Sequence, residues 1–392
     1  MAAVEIPTNI RAVQVQPDKT VKVIQIPFGQ DDLVKNLPED QLIIRVRAVA
    51  LNPTDWKVSK HHQHLSIASL VDDDNILQHG IGEWGTAGTI LGCDSAGDVV
   101  KVGSAVKHLK VGDRVAGFNY GGSYQTNNGA YAEFVRLYAS VTFKLPDELS
   151  YEEGASLPIP HLTAVQVFYM RLNIPKPFSP PAAEKEIILI WGGSTAVGHN
   201  AIQLARTSGL RVFVTASPAV HEELKTLGAE QTFDYKAVDV VKQIQDAAGE
   251  RGIIYAIDTV GELSTTNSTI DALSLSRSGH LVSTLPPDPS SVNRRKDVKV
   301  EFSLVYTLLG LDFTFASAFK YDAIPEDKAL SLEYVSTYMP RVLEGWKAGQ
   351  GSTSLKPQRL RKLEGGLEKI EEGLKIMRDG KYGREKLVYT IA

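Results

Sequence analysis

Hydrophobic and polar residues alternate over short runs in the first 165 positions, and glycine-containing turns separate these runs. The clearest runs cover residues 11–15, 42–50, 96–102 and 113–118, with Gly-Asp and Asn-Gly pairs between strand-like stretches. Few segments in this zone repeat apolar residues at helical spacing. The pattern predicts a compact, mostly β domain over residues 1–165.

From residue 186 the pattern changes to strands that alternate with helices. Apolar runs at 187–191 and 211–216 are each followed by helical spacing, at 197–207 and 221–227. Further strand-like runs lie at 231–233, 253–258 and 280–284. Strands separated by helices predict parallel βαβ units, here a Rossmann-type domain over residues 166–325. The proline-rich segment 174–181 predicts an exposed, extended linker just before this region.

The C-terminal part is predicted to be mainly helical. Apolar residues at positions 363, 367, 370, 374 and 377 predict one helix over 363–377, with Gly380 just beyond it. A strand-like run follows at 386–391. Because one helix and one strand are too little for a separate domain, we expect residues 326–392 to complete the first domain.

Composition and charge narrow the class of protein. The 392 residues include 42 Lys and Arg against 46 Asp and Glu, so no cationic surplus favours a nucleic-acid partner. The apolar stretch 304–319 contains Asp312 and is shorter than the ~20 residues of a membrane span. One cysteine, Cys93, excludes an intrachain disulfide and a multi-cysteine metal site. We expect a soluble, cytoplasmic protein without a visible secretory signal.

A glycine-rich turn is the most informative motif. Trp191-Gly-Gly-Ser-Thr-Ala-Val-Gly198 follows a predicted strand and opens a predicted helix. Backbone N–H groups and the helix dipole favour a dinucleotide phosphate in that context. We therefore assign cofactor binding to this set: Gly193, Ser194, Thr195, Ala196, Val197 and Gly198. Gly193 is expected to permit the turn and Gly198 to allow close packing, although a turn without a ligand stays possible.

The end of the second strand bears on the choice of cofactor. An NAD site would place Asp or Glu there, whereas this chain has Ser217-Pro218. Without that carboxylate, no negative charge repels the phosphate on the ribose 2′ position of NADPH, so the sequence favours NADPH. Ser217 and, from the next turn, Tyr235 could donate hydrogen bonds to the phosphate. Ser217 could equally be a helix N-cap, which would not oppose binding.

Five further motifs carry a family resemblance. Asn52-Pro-Thr-Asp-Trp-Lys57 resembles an N-P-x-D loop, and Leu91-Gly-Cys-Asp-Ser-Ala-Gly97 resembles a G-x-D-x-A-G turn. The segments 102–115, 128–133 and 383–389 resemble V-G…G-D-R-V, G-x-[FY]-A-E and G-x-K-L-V-Y. Together they resemble the zinc-free branch of the medium-chain dehydrogenase/reductase superfamily. The Gly-Gly-Ser-Thr-Ala and Ser-Pro segments are similar to fungal trans-acting enoyl reductases of the lovastatin-pathway type.

The resemblance implies a GroES-like β domain packed on a Rossmann domain, with the active site in the cleft. It implies NADPH-dependent reduction of a polarised C=C bond on a small molecule, for example a polyketide or another secondary metabolite. The alternatives are an NADPH:quinone oxidoreductase and a non-catalytic NADPH-binding regulatory protein. Zinc alcohol dehydrogenases have a Cys in the loop that corresponds to 52–57 and Gly-His-Glu where this chain has Gly-Cys-Asp at 92–94. Because these zinc ligands are missing, no metal is expected here. Val220 replaces a lysine frequent in quinone reductases, which weakens the NADPH assignment.

The resemblance also implies roles for single residues. Lys57 is the expected catalytic residue, holding the ribose or the developing enolate, unless it is a solvated surface lysine. Further cofactor contacts are expected from these residues: Thr54, Asp55, Lys57, Thr163, Leu285 and Leu387. Substrate contacts are expected from these: Asn52, Trp84, Leu308, Leu309 and Leu311. Asp55 and Thr163 could equally be an ordinary turn residue and an ordinary first-turn helix residue.

Three other features are interpreted conservatively. Cys93 is expected to be a small buried residue rather than a nucleophile. The histidines of His61-His-Gln-His64 lack a ligating spacing, so we expect a polar loop rather than a metal site. With Trp84, this loop could cover the substrate cleft, and whether it does stays open. Segment 298–319, including Tyr306 and Phe313, is expected to form an apolar pocket wall or an ordinary buried strand. Carrier attachment of the substrate and the choice between monomer and homodimer stay open.

Overall fold

The computed structural model describes residues 5–18, 20–58, 86–123, 127–180, 182–315, 319–344 and 355–391. Contacts along the chain divide these residues into two units. The first unit contains the described residues up to 159 and from 306 onwards, and the second is Pro160–Val305. The predicted boundaries lay at 165 and 326. Segment 306–325 belongs to the first unit because Ser140 Oγ donates to the Leu308 carbonyl at 3.0 Å and Tyr120 Oη to the Thr314 carbonyl at 3.1 Å.

Eleven of the named strands belong to the first unit, and strands are numbered along the whole chain. They are β1 (Asn9–Val15), β2 (Val21–Pro27), β3 (Gln41–Ala50), β4 (Asp94–Val102), β5 (Arg114–Phe118), β6 (Phe134–Tyr138), β7 (Thr142–Lys144), β14 (Phe313–Phe315), β15 (Phe319–Tyr321), β16 (Leu360–Leu363) and β17 (Lys386–Thr390). The main sheet has the order β16-β17-β3-β4-β5-β7, and β6 pairs with β3. The C-terminal strand β17 pairs antiparallel with β3, Val388 opposite Ala50.

Alternation along β3 explains how the first unit forms its core. Leu42, Ile44 and Val46 point into one buried cluster, while Ile43 points into a second cluster with Ile10 and its neighbours. These four side chains are each at most 1% exposed. The strand is therefore covered on both faces, which is why its sequence is apolar almost throughout.

Helices in the first unit are short. The α-helices are Asp32–Lys35, Pro53–Val58, Tyr151–Ala155, Pro325–Glu333, Met339–Leu343 and Ile370–Arg378. Further turns are the 3₁₀ helices Ala139–Val141 and Gly366–Lys369 and the π-helix Tyr334–Tyr338. Pro158–Val165 and the 3₁₀ helix Val305–Leu309 run across the two boundaries between the units.

The predicted helix over 363–377 is wrong in its first half. Leu363 ends strand β16, and Gly365 and Gly366 follow with φ values of 97° and 55°. Two successive residues with positive φ cannot continue a right-handed helix. The α-helix therefore begins only at Ile370, and its apolar positions still face the core of the first unit.

The second unit is a parallel sheet with helices between its strands. Its strands are β8 (Ile187–Trp191), β9 (Arg211–Ala216), β10 (Gln231–Asp234), β11 (Tyr255–Asp258), β12 (Gly279–Ser283) and β13 (Val298–Phe302). Its helices are Ala196–Thr207, His221–Leu227, Val240–Ala248, Leu263–Ala272 and Pro289–Val292, with the 3₁₀ turn Pro218–Val220 and the π-helix Gln166–Arg171. The order β10-β9-β8-β11-β12-β13 is that of a Rossmann fold. The predicted fold class is confirmed.

The order of the second sheet also locates its binding edge. The strand order reverses between the parallel strands β8 and β11, and ligands of such sheets bind at the carboxyl ends of the strands there. The proline-rich segment is not an exposed linker, because it lies within Pro160–Val305 and buries Ile174 and Pro177. Among the described residues, no helix has the length and hydrophobicity needed to cross a membrane.

Candidate active site

The glycine turn of the second unit connects β8 to helix Ala196–Thr207. Gly192 adopts φ 88°, so Gly192, not Gly193 as expected, supplies the left-handed position. The N–H groups of Gly192 and Gly193 donate to Thr215 Oγ1 at 3.1 Å and the Thr215 carbonyl at 3.0 Å. These bonds fasten the turn to the neighbouring strand β9.

Close packing explains the other two glycines of the turn. A Cβ on Gly193 would lie 2.0 Å from Val214 Cγ1, and a Cβ on Gly198 would lie 2.3 Å from the Gly192 carbonyl oxygen. Thr195 caps the helix because its Oγ1 accepts from the Gly198 N–H at 2.9 Å. The turn therefore presents the first N–H groups of a twelve-residue helix at the binding edge of the sheet.

Three further predicted cofactor residues follow strands at this same edge. Ser217 follows β9, Tyr235 follows β10, and Leu285 lies two residues beyond β12. Strands β9 and β10 are parallel, with Asp234 opposite Ala216, so Ser217 and Tyr235 leave adjacent strands at the same level. The fold thus brings together residues that are far apart in sequence.

The exposure of these residues suits contact with a ligand. Ser217 is exposed and occupies the N-cap position of the turn Pro218–Val220, but its side chain makes no cap hydrogen bond to a described residue. Tyr235 is 42% exposed, and Lys236 Nζ lies 5.7 Å from the centre of its ring. His221 Nε2 lies 3.0 Å from the Ala216 carbonyl oxygen.

A buried histidine connects two helices of the second unit. His161 Nδ1 lies 3.2 Å from Asn200 Oδ1, and Asn200 Nδ2 donates to the Ala196 carbonyl at 2.9 Å. Burial lowers the pKa of His161 to about 4, so the ring is neutral near pH 7. This contact secures the helix that carries Thr163, itself 6% exposed, against the helix of the glycine turn.

In the first unit, a buried ion pair lies beside the N-P-x-D loop. Lys386 Nζ donates to Asn52 Oδ1 at 2.5 Å and lies 3.3 Å from Asp94 Oδ2. Asn52 Nδ2 also donates to Asp94 Oδ2 at 2.9 Å, and the Ile159 N–H donates to Asp94 Oδ1 at 2.9 Å. Asp94 is 0% exposed and Lys386 is 4% exposed. The amide of Asn52, expected to contact substrate, is thus engaged at both ends inside the protein.

Sequence reasoning missed Lys386. One signal was available: Lys386 begins the otherwise apolar run Lys-Leu-Val-Tyr, within the segment that resembles the family motif G-x-K-L-V-Y. A lysine at the start of a buried strand indicates a buried charge that needs a partner. Burial raises the pKa of the Asp94 carboxyl, and the Lys386 ammonium opposes that rise.

Asp55 is the second buried carboxyl of this loop. Its Oδ2 accepts from the Asn52 N–H at 2.7 Å and from Tyr131 Oη at 2.6 Å. Its Oδ1 is buried and has no hydrogen-bond partner among the described residues. Burial raises the pKa of Asp55 to about 6.

Cys93 and Tyr306 lie next to this carboxyl. Cys93 Sγ is 3.4 Å from Tyr306 Oη and 3.9 Å from Thr54 Oγ1. Both Cys93 and Tyr306 are 2% exposed, which confirms that Cys93 is buried. Tyr306 was expected in an apolar wall, yet its hydroxyl also donates to Thr54 Oγ1 at 3.4 Å.

The remaining predicted residues are placed as follows. Lys57 lies on helix Pro53–Val58, but its side chain, like Trp84 and the 61–64 histidines, lies outside the described residues. Leu308, Leu309 and Leu387 are at most 1% exposed, and Leu311 is half-buried.

The donors around Cys93 do not fit a catalytic zinc ion. Such a site needs three or four Cys, His or carboxylate ligands. Here Asp94 is paired with an ammonium group, and Asp55 Oδ2 already accepts two hydrogen bonds. The hydrogen-bonding neighbours of the Cys93 thiol are the hydroxyl groups of Thr54 and Tyr306. In the part of the chain that the structure describes, no three His, Cys, Asp or Glu side chains are grouped to hold a metal.

Comparisons with known proteins agree with this architecture. Residues 38–147 match the family described as alcohol dehydrogenase GroES-like domain, and residues 196–320 match the one described as zinc-binding dehydrogenase. The chain resembles the CurK enoyl reductase, with a TM-score of 0.67 and 19% identity over 98% of this chain and 100% of that one. It also resembles the quinone oxidoreductase from Coxiella burnetii, with a TM-score of 0.62 and 23% identity over 98% and 100%.

Similarity in sequence is higher to curated fungal proteins. Trans-enoyl reductase ACTTS2 of Alternaria alternata is 33% identical over 97% of this chain and 98% of its own length. The lovastatin nonaketide synthase enoyl reductase component lovC of Aspergillus terreus is 31% identical over 91% and 90%. The chain therefore belongs to the medium-chain dehydrogenase/reductase superfamily, and its curated relatives there include fungal trans-enoyl reductases.

Proposed function

We propose that this protein is an NADPH-dependent reductase of the C=C bond of an α,β-unsaturated carbonyl compound. The observation that carries the proposal is its 33% identity to a trans-enoyl reductase over nearly the full length of both chains. The substrate class proposed is a polyketide or a related secondary-metabolite intermediate. A cytoplasmic location is part of the proposal, since the chain has one cysteine and folds without disulfides.

The glycine turn fits a dinucleotide. Positions Gly193 and Gly198 leave no room for a Cβ, and the turn ends at the first N–H groups of a helix that Thr195 caps. When bound, NADPH would supply the hydride that adds to the β-carbon. The chain's own residues then have to orient the substrate carbonyl and stabilise the negative charge that develops on its oxygen.

Three observations support NADPH over NADH. No acidic residue ends β9, Ser217 is exposed there, and the Tyr235 hydroxyl follows the adjacent strand at the same edge. Lys236, beside Tyr235, supplies a positive charge near this edge. This charge offsets the loss of the phosphate-binding lysine that Val220 replaces. These features suit the two extra negative charges of a 2′-phosphate.

Lys57 is the proposed catalytic residue, holding the ribose or the developing enolate. It shares a short helix with Thr54 and Asp55, both connected to the buried network of the first unit. Substrate contacts by Trp84, Leu308, Leu309 and Leu311 are proposed on family resemblance, and so are cofactor contacts by Thr163, Leu285 and Leu387. The absence of a catalytic metal is proposed on the donor set around Cys93.

The purified protein tests the function through NADPH oxidation with enones, enoyl thioesters and quinones. We expect turnover with the enones or thioesters, at least tenfold slower turnover with NADH, and none with quinones. The reduced product should carry the hydride at its β-carbon. Turnover with quinones alone would assign a quinone oxidoreductase, and tight NADPH binding without any turnover would assign a non-catalytic protein.

The role of Lys57 is measured in the same assay. Lys57→Ala should lower kcat by about 10- to 1,000-fold, because it removes a charge placed to meet a developing anion. Lys242→Ala is the matched control, since Lys242 is 71% exposed on a helix of the second unit. Equal kcat and KM in Lys57→Ala and Lys242→Ala would contradict the assignment.

A further inference from the structure

The loop that follows β11 was not among the residues predicted from the sequence to form the site, yet it lies against the glycine turn. The segment Asp258-Thr-Val-Gly261 begins with the last residue of β11, the strand that pairs with β8. The Thr259 N–H donates to the Trp191 carbonyl at 3.1 Å, which extends this pairing by one residue. Because the strand order reverses between β8 and β11, the loop lies where a dinucleotide would cross the edge of the sheet.

The buried carboxylate of Asp258 fixes the shape of this loop. Its Oδ1 accepts hydrogen bonds from the N–H groups of Val260 and Gly261, each at 3.0 Å. Its Oδ2 accepts from the hydroxyl groups of Thr265 and Thr266, each at 2.8 Å. Because leaving a buried carboxylate oxygen without a donor is costly, these bonds hold the loop in one conformation. The residue between Asp258 and Val260 is therefore presented at a fixed place.

That residue, Thr259, connects the loop to the glycine turn through its hydroxyl group. Its Oγ1 donates to the carbonyls of Trp191 at 2.8 Å and Gly192 at 3.0 Å, and it accepts from Thr195 Oγ1 at 2.9 Å. Thr195 Oγ1 in turn accepts from the Gly198 N–H at 2.9 Å. A threonine hydroxyl has one proton, and that of Thr195 is engaged on Thr259. The Thr195 side chain, expected to contact the cofactor, therefore holds the turn instead.

The N–H groups at the start of the helix divide into two kinds. The Thr195 N–H donates to the Gly192 carbonyl at 3.1 Å, and the Gly198 N–H donates to Thr195 Oγ1. Ala196 and Val197 lie between them in the first turn, where N–H groups have no acceptor within the helix. Both residues are half-buried, so a phosphate oxygen can reach their N–H groups. The two engaged N–H groups thus hold the two that suit an anion.

Close packing adds to these hydrogen bonds. A Cβ on Gly192 would lie 2.6 Å from Thr259 Oγ1 and 2.8 Å from Val260 Cγ2. A Cβ on Gly261 would lie 2.6 Å from Leu285 Cβ. The loop is therefore packed between the glycine turn and Leu285, a residue of proposed cofactor contact. A shift of the loop would displace both of its neighbours.

We propose that Thr259 is a positioning residue for the cofactor, an inference that rests on the proposed function. Its hydroxyl group contacts the same Gly192 carbonyl on which the Thr195 N–H closes the turn, and it holds the Thr195 hydroxyl that caps the helix. The N–H groups of Ala196 and Val197 are thereby fixed in advance, so cofactor binding does not have to order them. Without the Thr259 hydroxyl, the Gly192 carbonyl and the Thr195 hydroxyl each lose one partner.

The experiment measures the Kd for NADPH in variants of the full chain by titration calorimetry. Thr259→Val and Thr259→Ala both remove the hydroxyl group, and the alanine variant does so without placing a methyl group against the two carbonyl oxygens. We expect both to raise Kd about tenfold, whereas Thr259→Ser keeps the hydroxyl and should stay within about threefold of wild type. Thr269→Val is the matched control, because Thr269 is buried and its hydroxyl donates to the Thr265 carbonyl of its own helix at 2.7 Å. Its Kd should equal that of wild type.

Two further measurements separate positioning from a general loosening of the second unit. Adenosine 2′-monophosphate carries the 2′-phosphate but lacks the pyrophosphate, so its Kd should be the same in Thr259→Ala and wild type. With an enoyl thioester, KM for NADPH should rise in Thr259→Ala, while kcat at saturating NADPH stays within about twofold of wild type. The reason is that these contacts hold the cofactor equally in the ground state and the transition state. Thermal unfolding of each variant reports separately on folding.

The outcomes distinguish this inference from the proposed function. Equal NADPH Kd values in wild type, Thr259→Val and Thr259→Ala would overturn the inference. No recovery in Thr259→Ser, or an equal loss of affinity for adenosine 2′-monophosphate, would also overturn it, and each of these results leaves the enoyl reductase function intact. A wild-type protein that binds NADPH but oxidises it with no enone or thioester would overturn the function, while the Kd values still decide the inference. A wild-type protein that does not bind NADPH would overturn both.

Discussion

Asp94 shows how much of the candidate site depends on one buried residue. Its carboxylate accepts hydrogen bonds from the Asn52 side chain and the Ile159 N–H, and it is paired with Lys386. These groups come from the N-P-x-D loop, the start of helix Pro158–Val165 and the start of β17. The ion pair therefore fixes the loop that carries Thr54, Asp55 and Lys57.

Removing the ammonium should destabilise the protein strongly. Lys386→Met leaves Asp94 buried without its countercharge, so we expect the free energy of unfolding to fall by about 3–5 kcal/mol. Lys242→Met is the control, because the Lys242–Asp246 pair is 71% and 65% exposed and its loss should cost below about 0.5 kcal/mol. Urea denaturation of both variants measures the difference, and similar losses would contradict the argument.

The same variant has a defined pH dependence. Burial already raises the pKa of Asp94, and loss of Lys386 removes a group that lowers it. A folded-state pKa above the unfolded value favours the folded protein at low pH, and this advantage is lost as pH rises toward the folded-state value. The deficit of Lys386→Met should therefore be smaller at pH 5 than at pH 8.

At the scale of elements, the strand–turn–helix unit at 187–207 depends on close backbone approach. Gly198 lies in the first turn of the helix and faces the carbonyl of Gly192, the residue with positive φ. Thr195 caps the helix and is also hydrogen-bonded to Thr259 Oγ1 at 2.9 Å. The turn therefore has little freedom to move if its neighbours change.

Gly198→Ala should disrupt this turn. The added Cβ would lie 2.3 Å from the Gly192 oxygen and 2.8 Å from Gly193 Cα, so the N–H groups proposed to bind the cofactor phosphate must shift. We expect NADPH affinity to fall at least tenfold, with a loss of stability of about 1–3 kcal/mol. Gly209→Ala, just past the other end of the helix, adds a Cβ in open space at φ 79°. It should cost about 1–2 kcal/mol and leave the NADPH Kd unchanged.

At the scale of the whole molecule, the first unit is assembled from both ends of the chain. Strand β17 lies between β16 and β3 in the sheet, so the last residues complete a sheet that begins near residue 41. Four of these residues are at most 3% exposed: Leu387, Val388, Tyr389 and Ile391. Among the described residues, the second unit by contrast consists of the segment Pro160–Val305.

A chain that ends at Glu385 should therefore lose the fold of its first unit. Burial of four large apolar side chains contributes about 1.5–3 kcal/mol each, which together rivals the whole stability of a typical domain. We expect loss of cooperative unfolding in circular dichroism and rapid proteolysis of residues 5–159. Thr390→Ala, at an exposed position of the same strand, should melt like wild type. A truncated chain that melts within a few degrees of wild type would contradict this account.

Local patterns predicted much of the fold. The strands 187–191 and 211–216 and the helix His221–Leu227 agree with the structure residue by residue. Hydrophobic periodicity suffices there because each element buries the face that its own sequence marks. It failed over 363–369, where the apolar spacing is helical but Gly365 and Gly366 adopt positive φ.

The candidate site was predictable to a smaller extent. The glycine turn, Ser217 and Tyr235 follow from strand order, because parallel strands end at one edge. Lys386 and Tyr306 do not follow from any local pattern. Lys386 meets Asn52 across 334 positions, and Tyr306 meets Cys93 across 213.

The amino-acid sequence by itself determined the types and order of the elements, the Rossmann topology and the turn that suits a dinucleotide. Each of these follows from residues that are close together along the chain. The tertiary structure alone decided which buried polar groups meet: Lys386 with Asp94, and Tyr306 with Cys93. The reason is physical, since the cost of burying a charge or hydroxyl depends on partners that only the folded sheet brings within hydrogen-bond distance.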